Sequence, residues 1–397
     1  MKVLQINSVY GIKSTGRIAA DLVKLQKKHG AEAFVACSST DVCDKNVFSM
    51  SNSKLYDKAN IMLTRLFGKH GFYNKAATRR LIKYIDSVKP DIIHLHNVHG
   101  HYLNIRMLFS YIVKHSIPVA WTLHDCWSFT GHCPHFDYIG CEKWRTGCHD
   151  CSQRRGYPDS WFFDRSKGNY KVKKKLFTSV QRMHIVTPSK WLADLVKESY
   201  LGKYPVTVVH NGVDTKAFSP TCSDIKERLG LKDKFLILGI VTSLSGRKGG
   251  EYFKKLSEKL SEDEHIILLS YEGNASELPE NITAIPRTNS KEELAQIYSC
   301  VDVFVNPTLE DTFPTVNLEA LSCGTPVVTF DTGGSKESLR EDCGIVVPQG
   351  NTEELYKAIL RIKEGGFTPD ACRSRGLEFT REQRFEDYMG VYNSLID

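Results

Sequence analysis

The chain reads as an α/β protein of two doubly wound units, and three observations predict this. Short β-branched runs alternate with amphipathic stretches on both sides of Asn211-Gly-Val-Asp214, the pattern of parallel strands joined by helical crossovers. At 397 residues the chain suits two domains of ordinary size, each with its own core. The stretch NPTLEDTFPTVNLEALSCGTPVVTFDTGG, Asn306 to Gly334, passes from a strand end through a polar loop and a short helix into the next strand, the simplest reading of which is a parallel sheet with helical crossovers.

The elements follow in order. KVLQINSVY is a hydrophobic strand leading to Gly11-Ile-Lys-Ser-Thr-Gly16, and Arg17 to His29 is an amphipathic helix ending at Gly30. Strand, glycine loop and helix form a phosphate-type arrangement. The G-x-G-x-x-G spacing is absent, however, and glycines that merely permit a tight turn explain the loop equally well. Further strands are predicted at Ala33 to Ala36, Ile92 to Leu95, Val119 to Leu123, His184 to Val186 and Val206 to Val209, with helices at Lys75 to Val88, Asn104 to Lys114 and Lys190 to Ser199. The second unit has strands near Phe235 to Val241, Ile266 to Leu269, Ile282 to Ile285, Val301 to Val305, Val327 to Phe330 and Ile345 to Val347. A helix at Tyr252 to Leu260 follows its first strand, and FTREQRFEDYMGVYNSL, with apolar residues at helical spacing, closes the chain.

The centre of function is placed in Asn306 to Gly334. Thr308 to Phe313 is a polar loop, Pro314 stands where a first helical residue would, and the helix stops at Cys323-Gly324. Ligands of open α/β sheets sit beyond the carboxyl ends of the strands, where Glu310 and Asp311 lie. The N–H groups of Phe313, Thr315 and Val316 open the helix and could hold a phosphate or a sugar hydroxyl. Glu319 follows Asp311 with seven residues between, so one carboxylate is in the loop and one on the second helical turn. Such carboxylates suit hydroxyl-rich ligands. An acidic pair favouring the helix dipole, with Glu319 simply solvated, is the competing reading.

Other residues carry chemistry as well. Lys248-Gly249 precedes a helix, where an ammonium adds to the local amides and matches a diphosphate, although two solvated charges on a loop would look the same. Asp331-Thr-Gly-Gly334 lets backbone approach a ligand or simply turns. His124 ends a strand, with His94, His96, His99 and His101 as competitors and His96 in reserve. In the Cys126 to Cys151 segment, Cys133, Cys141, Cys148 and Cys151 are predicted to hold a structural zinc, since the loop looks too poor in apolar residues to order itself. Free buried thiols are the alternative. Between Arg154 and Lys190 ten basic residues face two acidic ones, with Trp161, Phe162, Phe163, Tyr170 and Phe177 interleaved. This segment is read as an interfacial patch for an anionic membrane, against a nucleic-acid surface or a solvated basic face.

The run from Asn306 to Gly334 resembles the acidic seven-spaced motif of the retaining GT-B glycosyltransferases of family four, and VNLEALSCGTPVV is similar to that family almost throughout. Asp311 stands where many members have Glu, and Glu310 is a second candidate. HNGVD214 resembles the family's linker, with His210 where proline is usual. The resemblance implies GT-B: two Rossmann-like domains facing across a cleft, 1–212 on the acceptor side with the cysteine loop 126–151, 213–378 for the nucleotide sugar, and a helix 379–397 packing back on the first. It implies Lys248 for the leaving diphosphate, with Arg247 substituting for an arginine where this chain has Ser243. Glu319 would take the ribose, Asp311 or Glu310 the sugar hydroxyls, His124 the donor sugar, and the loop to Gly16 the cleft edge. Retention without a catalytic metal is implied, as are a UDP- or GDP-sugar donor and a glycan or lipid-diphosphate-linked acceptor in surface polysaccharide assembly. No nucleic acid is expected. A nucleotide-sugar epimerase of the same architecture and a non-catalytic zinc-containing adaptor are the rival functions.

Composition is that of a soluble globular protein, 41% hydrophobic and 25% charged with a net charge of +7, which favours anionic partners without naming one. Met1-Lys-Val-Leu-Gln-Ile-Asn opens directly into a strand with no apolar leader, so a cytoplasmic protein is expected, peripheral at most at the inner face of the plasma membrane. In that reducing setting most of the twelve cysteines would be thiols or metal ligands.

Overall fold

The structure is a computed structural model that describes residues 1–288 and 290–397. It divides into two compact units, Met1–His210 with Phe385–Asp397, and Asn211–Arg384. Each is built on one parallel sheet.

Among the described residues the first sheet has seven strands: β1 (Lys2–Tyr10), β2 (Glu32–Thr40), β3 (Val47–Ser49), β4 (Ile92–Leu95), β5 (Val119–Thr122), β6 (Met183–Thr187) and β7 (Val206–Val208). Their order is β3-β2-β1-β4-β5-β6-β7, with every neighbouring pair parallel. β4 and β5 are buried at each position, as strands covered on both faces must be. Ile93, Leu95 and Trp121 pack with Leu108, Phe109 and Ile112 of helix Ile105–Lys114. On the other face Ile92 and Ala120 meet Ile18 and Leu22, and Phe385, Tyr388 and Tyr392 of helix Arg381–Ile396. The two tyrosines also hydrogen-bond into the sheet. Tyr392 Oη lies 2.8 Å from His94 Nδ1, and Tyr388 Oη 3.1 Å from Thr122 Oγ1.

The second sheet has six strands among the described residues: β8 (Phe235–Ile240), β9 (Glu264–Leu269), β10 (Ile282–Ile285), β11 (Val303–Asn306), β12 (Val327–Phe330) and β13 (Gly344–Val347), ordered β10-β9-β8-β11-β12-β13 and parallel throughout. Strand order reverses between β1 and β4 in the first sheet and between β8 and β11 in the second. Those reversals open the crevices at the carboxyl ends where α/β sheets take ligands.

Several local expectations are corrected. The first helix begins at Lys13, not Arg17, so Gly16 lies in its first turn, packed so closely on β1 that a Cβ would stand 3.1 Å from Val9. Pro314 is the N-cap of helix Thr315–Ser322 rather than its first residue. β3 and the helices Lys54–Phe67 and Ser166–Phe177 carry no prediction above. The cysteine segment adds to the core of the first unit: Trp127, Phe129, Phe136 and Trp144 are buried in it, with ring centroids of Phe129 and Phe136 at 5.3 and 5.2 Å from Trp144. The premise that this loop is too polar to order itself therefore falls. Among the described residues no helix is long and apolar enough to cross a membrane.

Candidate functional site

In the second unit the loops after β8, β11, β12 and β13 hydrogen-bond to one another. Leu309 N–H donates to Arg247 O at 2.8 Å, and Arg247 Nη1 donates to Glu310 O at 3.2 Å. The Lys248 ammonium reaches Asp311 Oδ2 at 2.6 Å. Thr332 Oγ1 and Gln349 Nε2 both donate to Leu309 O, at 2.9 and 2.7 Å. Two glycines permit this closeness. A Cβ on Gly333, whose φ is +52°, would stand 1.8 Å from Asp311 O, and one on Gly249, φ +74°, would stand 1.9 Å from Pro307 O. Only glycine adopts such backbone with no room for a side chain.

Behind the loops a buried polar network fixes the helix Thr315–Ser322. Asn306 Nδ2 donates to Asn317 Oδ1 at 2.8 Å, and Asn317 Nδ2 donates to Ser338 Oγ at 3.0 Å and Ser335 Oγ at 3.2 Å. A fully satisfied network of this kind specifies one arrangement. Glu319 is half-buried on the helix and accepts from Tyr298 Oη at 3.0 Å. Burial, then the Glu319 carboxylate, push the Tyr298 hydroxyl well above its ordinary value, so it stays a donor.

The structure thus brings together Arg247, Lys248, Glu310 and Asp311. It also qualifies them. Lys248 and Asp311, expected to hold different parts of a ligand, hold each other. The Phe313 N–H, expected to face a ligand, donates to Asp311 Oδ1 at 3.2 Å. Thr315 and Val316 begin the helix, where their N–H groups have no residue four back inside it to accept them. Glu310 is buried. Tyr298 and Gln349 were not singled out from sequence. The helical spacing of KEELAQIYSC could have found the first, and no sequence signal marks the second.

In the first unit His124 and His96, favoured and reserve candidates, share a hydrogen bond of 3.1 Å between His124 Nε2 and His96 Nδ1. Their tautomers follow from their neighbours. Gln5 Nε2 is engaged by Gln26 Oε1, so Gln5 Oε1 accepts from His96 Nε2 at 3.0 Å. Burial holds His96 well below its ordinary value and pushes His124 down to about 4, Asp125 opposing. Both rings are neutral at pH 7. His96 Nδ1 is therefore the acceptor, His124 Nε2 the donor, and His124 Nδ1 the unprotonated nitrogen. Beside them His99 Nε2 meets Asp125 Oδ2 at 2.7 Å and His99 Nδ1 meets Tyr157 Oη at 3.2 Å. Burial would raise Asp125, but His99 and the Trp127 N–H outweigh it and hold the carboxyl at about 2. A crevice at the ends of β4 and β5 is lined by His96, His99, His124 and Asp125. His94 is structural: fully buried, it bridges Tyr392 and Thr122.

A family profile described as Glycosyltransferase Family 4 matches residues 15–217, more than half of the chain, and one described as Glycosyl transferases group 1 matches residues 235–364. The chain belongs to that glycosyltransferase family. WcaC of Escherichia coli strain K12, whose name places it in colanic acid biosynthesis as a glycosyl transferase, is 27% identical over 354 residues, covering 85% of this chain and 84% of WcaC. Among solved structures, sucrose-phosphate synthase of Thermosynechococcus elongatus superposes with a TM-score of 0.71 at 16% identity, over 99% of this chain and 98% of that one. HepE of Anabaena, in complex with UDP-glucose, gives 0.69 at 14%, over the whole of both chains. These likenesses establish the GT-B fold. Neither the epimerase nor the adaptor reading finds support in them.

The cysteine segment of this glycosyltransferase gathers its thiols in part. The Cys133 thiol donates to Cys151, which pushes Cys133 well up and Cys151 down. Cys148 Sγ accepts from Gly131 N–H at 3.1 Å. The buried ammonium of Lys173 lies 3.6 Å from the Trp127 ring centroid and donates to Trp127 O. Cys141 and Cys148 pack against the core that contains Cys133. The donors suit zinc in kind. Among the described residues, however, no group of three or more His, Cys, Asp or Glu stands in an arrangement that could hold a metal ion.

Proposed function

We propose that this glycosyltransferase moves a sugar from a UDP- or GDP-sugar to a hydroxyl of a glycan or lipid-diphosphate-linked acceptor during assembly of a surface polysaccharide, with retention of configuration. The observation that carries the reading is the Lys248–Asp311 pair at the β8–β11 reversal, a cation and a carboxylate 2.6 Å apart at the mouth of the second sheet. Lys248, with three donors, can bond a diphosphate while keeping Asp311, and Arg247 and the amides of Thr315 and Val316 add to it. Together they would stabilise the charge that develops on the leaving group, the main electrostatic demand of the step. No catalytic metal is invoked for that role.

Glu319, held by Tyr298, accepts from the ribose hydroxyls, and Asp311 or Glu310 from those of the sugar. His124 is assigned, on the resemblance, to positioning the donor sugar. In the retaining course the acceptor hydroxyl attacks on the face the diphosphate leaves, and its proton passes to the departing phosphate oxygen. Support for the donor comes from HepE, solved with UDP-glucose, and for the pathway class from the name of WcaC. Structural zinc on Cys133, Cys141, Cys148 and Cys151 is proposed alongside from the kind of donor and the Cys133–Cys151 contact alone; the four thiols would have to draw together to hold it, and metal content tests the proposal.

The test is thermal stability with UDP, GDP and ADP and their sugars. One nucleotide family should raise the melting temperature, because a ligand that binds only the native state stabilises it by mass action. No rise with any of them would sink the donor assignment.

A further inference from the structure

Helix Lys54–Phe67 keeps polar residues at its most buried positions and apolar ones at its surface. The residues it buries fully are Asn60 and Thr64, both polar, while Ile61, Leu63 and Leu66 are half-buried. They are satisfied inward: Asn60 Oδ1 accepts from Asn74 N–H at 2.9 Å, and Thr64 Oγ1 donates to Asn60 O at 2.8 Å. Its outward face carries Leu55, 80% exposed, and Met62, 50% exposed. A helix that buries amide and hydroxyl while presenting leucine and methionine inverts the usual pattern.

A second exposed apolar segment abuts it. Trp161, Phe162 and Phe163 are consecutive and all exposed. Trp161 N–H donates to Arg65 O at 2.8 Å, and the rings of Phe67 and Phe163 stack at 6.1 Å. Counting Tyr56, Phe67 and Tyr157, eight of the fourteen exposed large hydrophobic side chains among the described residues fall in these two segments. Isolated exposed apolar residues need no explanation, but a contiguous group of this kind marks an interaction surface.

Charge identifies what it meets. Arg65 lies 6.0 Å from the Trp161 ring centroid and Arg165 5.3 Å from that of Phe163, and Arg154 Nη1 donates to Trp161 O. Lys58 and Lys167 are exposed on the adjoining helices. The nearby acids are already engaged. Asp57 accepts twice from Asn52, Asp159 pairs with Arg65 at 3.7 Å, and Asp164 accepts from Cys151 and Ser166 N–H. Aromatic rings with polar edges, set among cations, match the headgroup layer of an anionic bilayer, where rings sit at the interface and Lys and Arg meet the phosphates.

We infer that helix Lys54–Phe67 and the Tyr157–Phe163 loop form one surface that docks this glycosyltransferase onto an anionic lipid bilayer. The inference extends the basic segment read from sequence by adding a helix that no sequence pattern suggested. It goes beyond the sugar-transfer reading and stands or falls separately from it, because docking is measured without nucleotide.

The experiment is co-sedimentation of the full chain with vesicles of phosphatidylcholine alone or of equimolar phosphatidylcholine and phosphatidylglycerol, at low and high salt. The chain should sediment with the anionic vesicles and be released by salt. Lys58→Glu and Arg165→Glu should each weaken binding at least about fivefold. Leu55→Ser with Met62→Ser, and Phe162→Ser with Trp161→Ser, should each weaken it more than tenfold, with unchanged melting temperatures since these side chains are exposed. Equal sedimentation with neutral and anionic vesicles, or variants that bind like the parent, would overturn the inference. So would a concentration-dependent dimer that the same substitutions abolish, since the surface would then belong to a second copy of the chain.

Discussion

Lys248 and Asp311 show how a single pair can matter to a ligand while mattering little to the fold. The ion pair is short, but the Lys248 side chain is 44% exposed, and exposed pairs contribute at most about 1 kcal/mol. Lys248→Ala should therefore leave the melting temperature within a degree or two. A charge-assisted hydrogen bond to diphosphate is worth about 1.5–3 kcal/mol, so the same change should weaken UDP binding roughly 10- to 100-fold by calorimetry. Asp311→Asn separates the two roles. It removes the carboxylate that competes for the ammonium, so UDP affinity should hold or rise while sugar transfer falls. Loss of UDP affinity in Asp311→Asn would show that Asp311 orders the loop rather than meeting the sugar.

At the scale of elements, the loops after β11 and β12 touch through backbone, and Gly333 is the hinge of that contact. An alanine there faces two penalties: left-handed backbone, about 1–2 kcal/mol, and a Cβ driven into Asp311 O. Gly30 isolates the first, having φ +74° and no atom within 4 Å of a built Cβ. Gly333→Ala should thus cost several degrees of melting temperature more than Gly30→Ala, and lower UDP affinity as well. Equal costs would mean that the loops do not depend on this contact.

The same contrast explains what the sequence made legible. β4, β10 and β12 were read to the residue because each is a short β-branched or apolar run bounded by turn residues; β4 and β12 are buried throughout, whereas β10, at the sheet edge, is buried only at Ile282. The acidic loop and Lys248-Gly249 were legible as motifs set at strand ends. Helix Lys54–Phe67 escaped because its fully buried residues are polar and its apolar ones are split between half-buried and exposed positions, and β3, at three residues, is too short to carry a period. The Tyr298–Glu319 bond, the Gln349 clamp and the His96–His124 pair are tertiary meetings of distant segments, which local pattern does not encode. In the cysteine segment the metal-like spacing drew attention from Phe129, Phe136 and Trp144, whose burial organises the loop.

Across the whole molecule the histidines are unevenly shared. Of fourteen, only His265 lies in the second unit, and the first holds the rest. Burial is the main cause that holds His94 at about 3, His101 and His124 at about 4, and His96 well below 6.5. Unfolding frees these rings to an ordinary value near 6.5, so between about pH 6.5 and 4 the unfolded chain binds protons that the native chain does not. Stability is then fully present above pH 6.5 and is lost as pH falls, at up to about 1.4 kcal/mol per pH unit for each such ring. Asp125, held at about 2 against an ordinary 3.8, contributes the same sign of loss only below that range, so the two effects separate along the pH axis. The loss between pH 7 and 5 should fall on the first unit. Scanning calorimetry should therefore show a transition at pH 5 at least about 5 °C below its position at pH 7, while the transition of the second unit moves less. His94→Gln, which cannot take a proton yet can both donate and accept between Tyr392 and Thr122, should flatten the slope. A melting profile unchanged from pH 7 to 5 would mean that these histidines are not neutral and buried in the native chain, and would remove with them the tautomer assigned to His124.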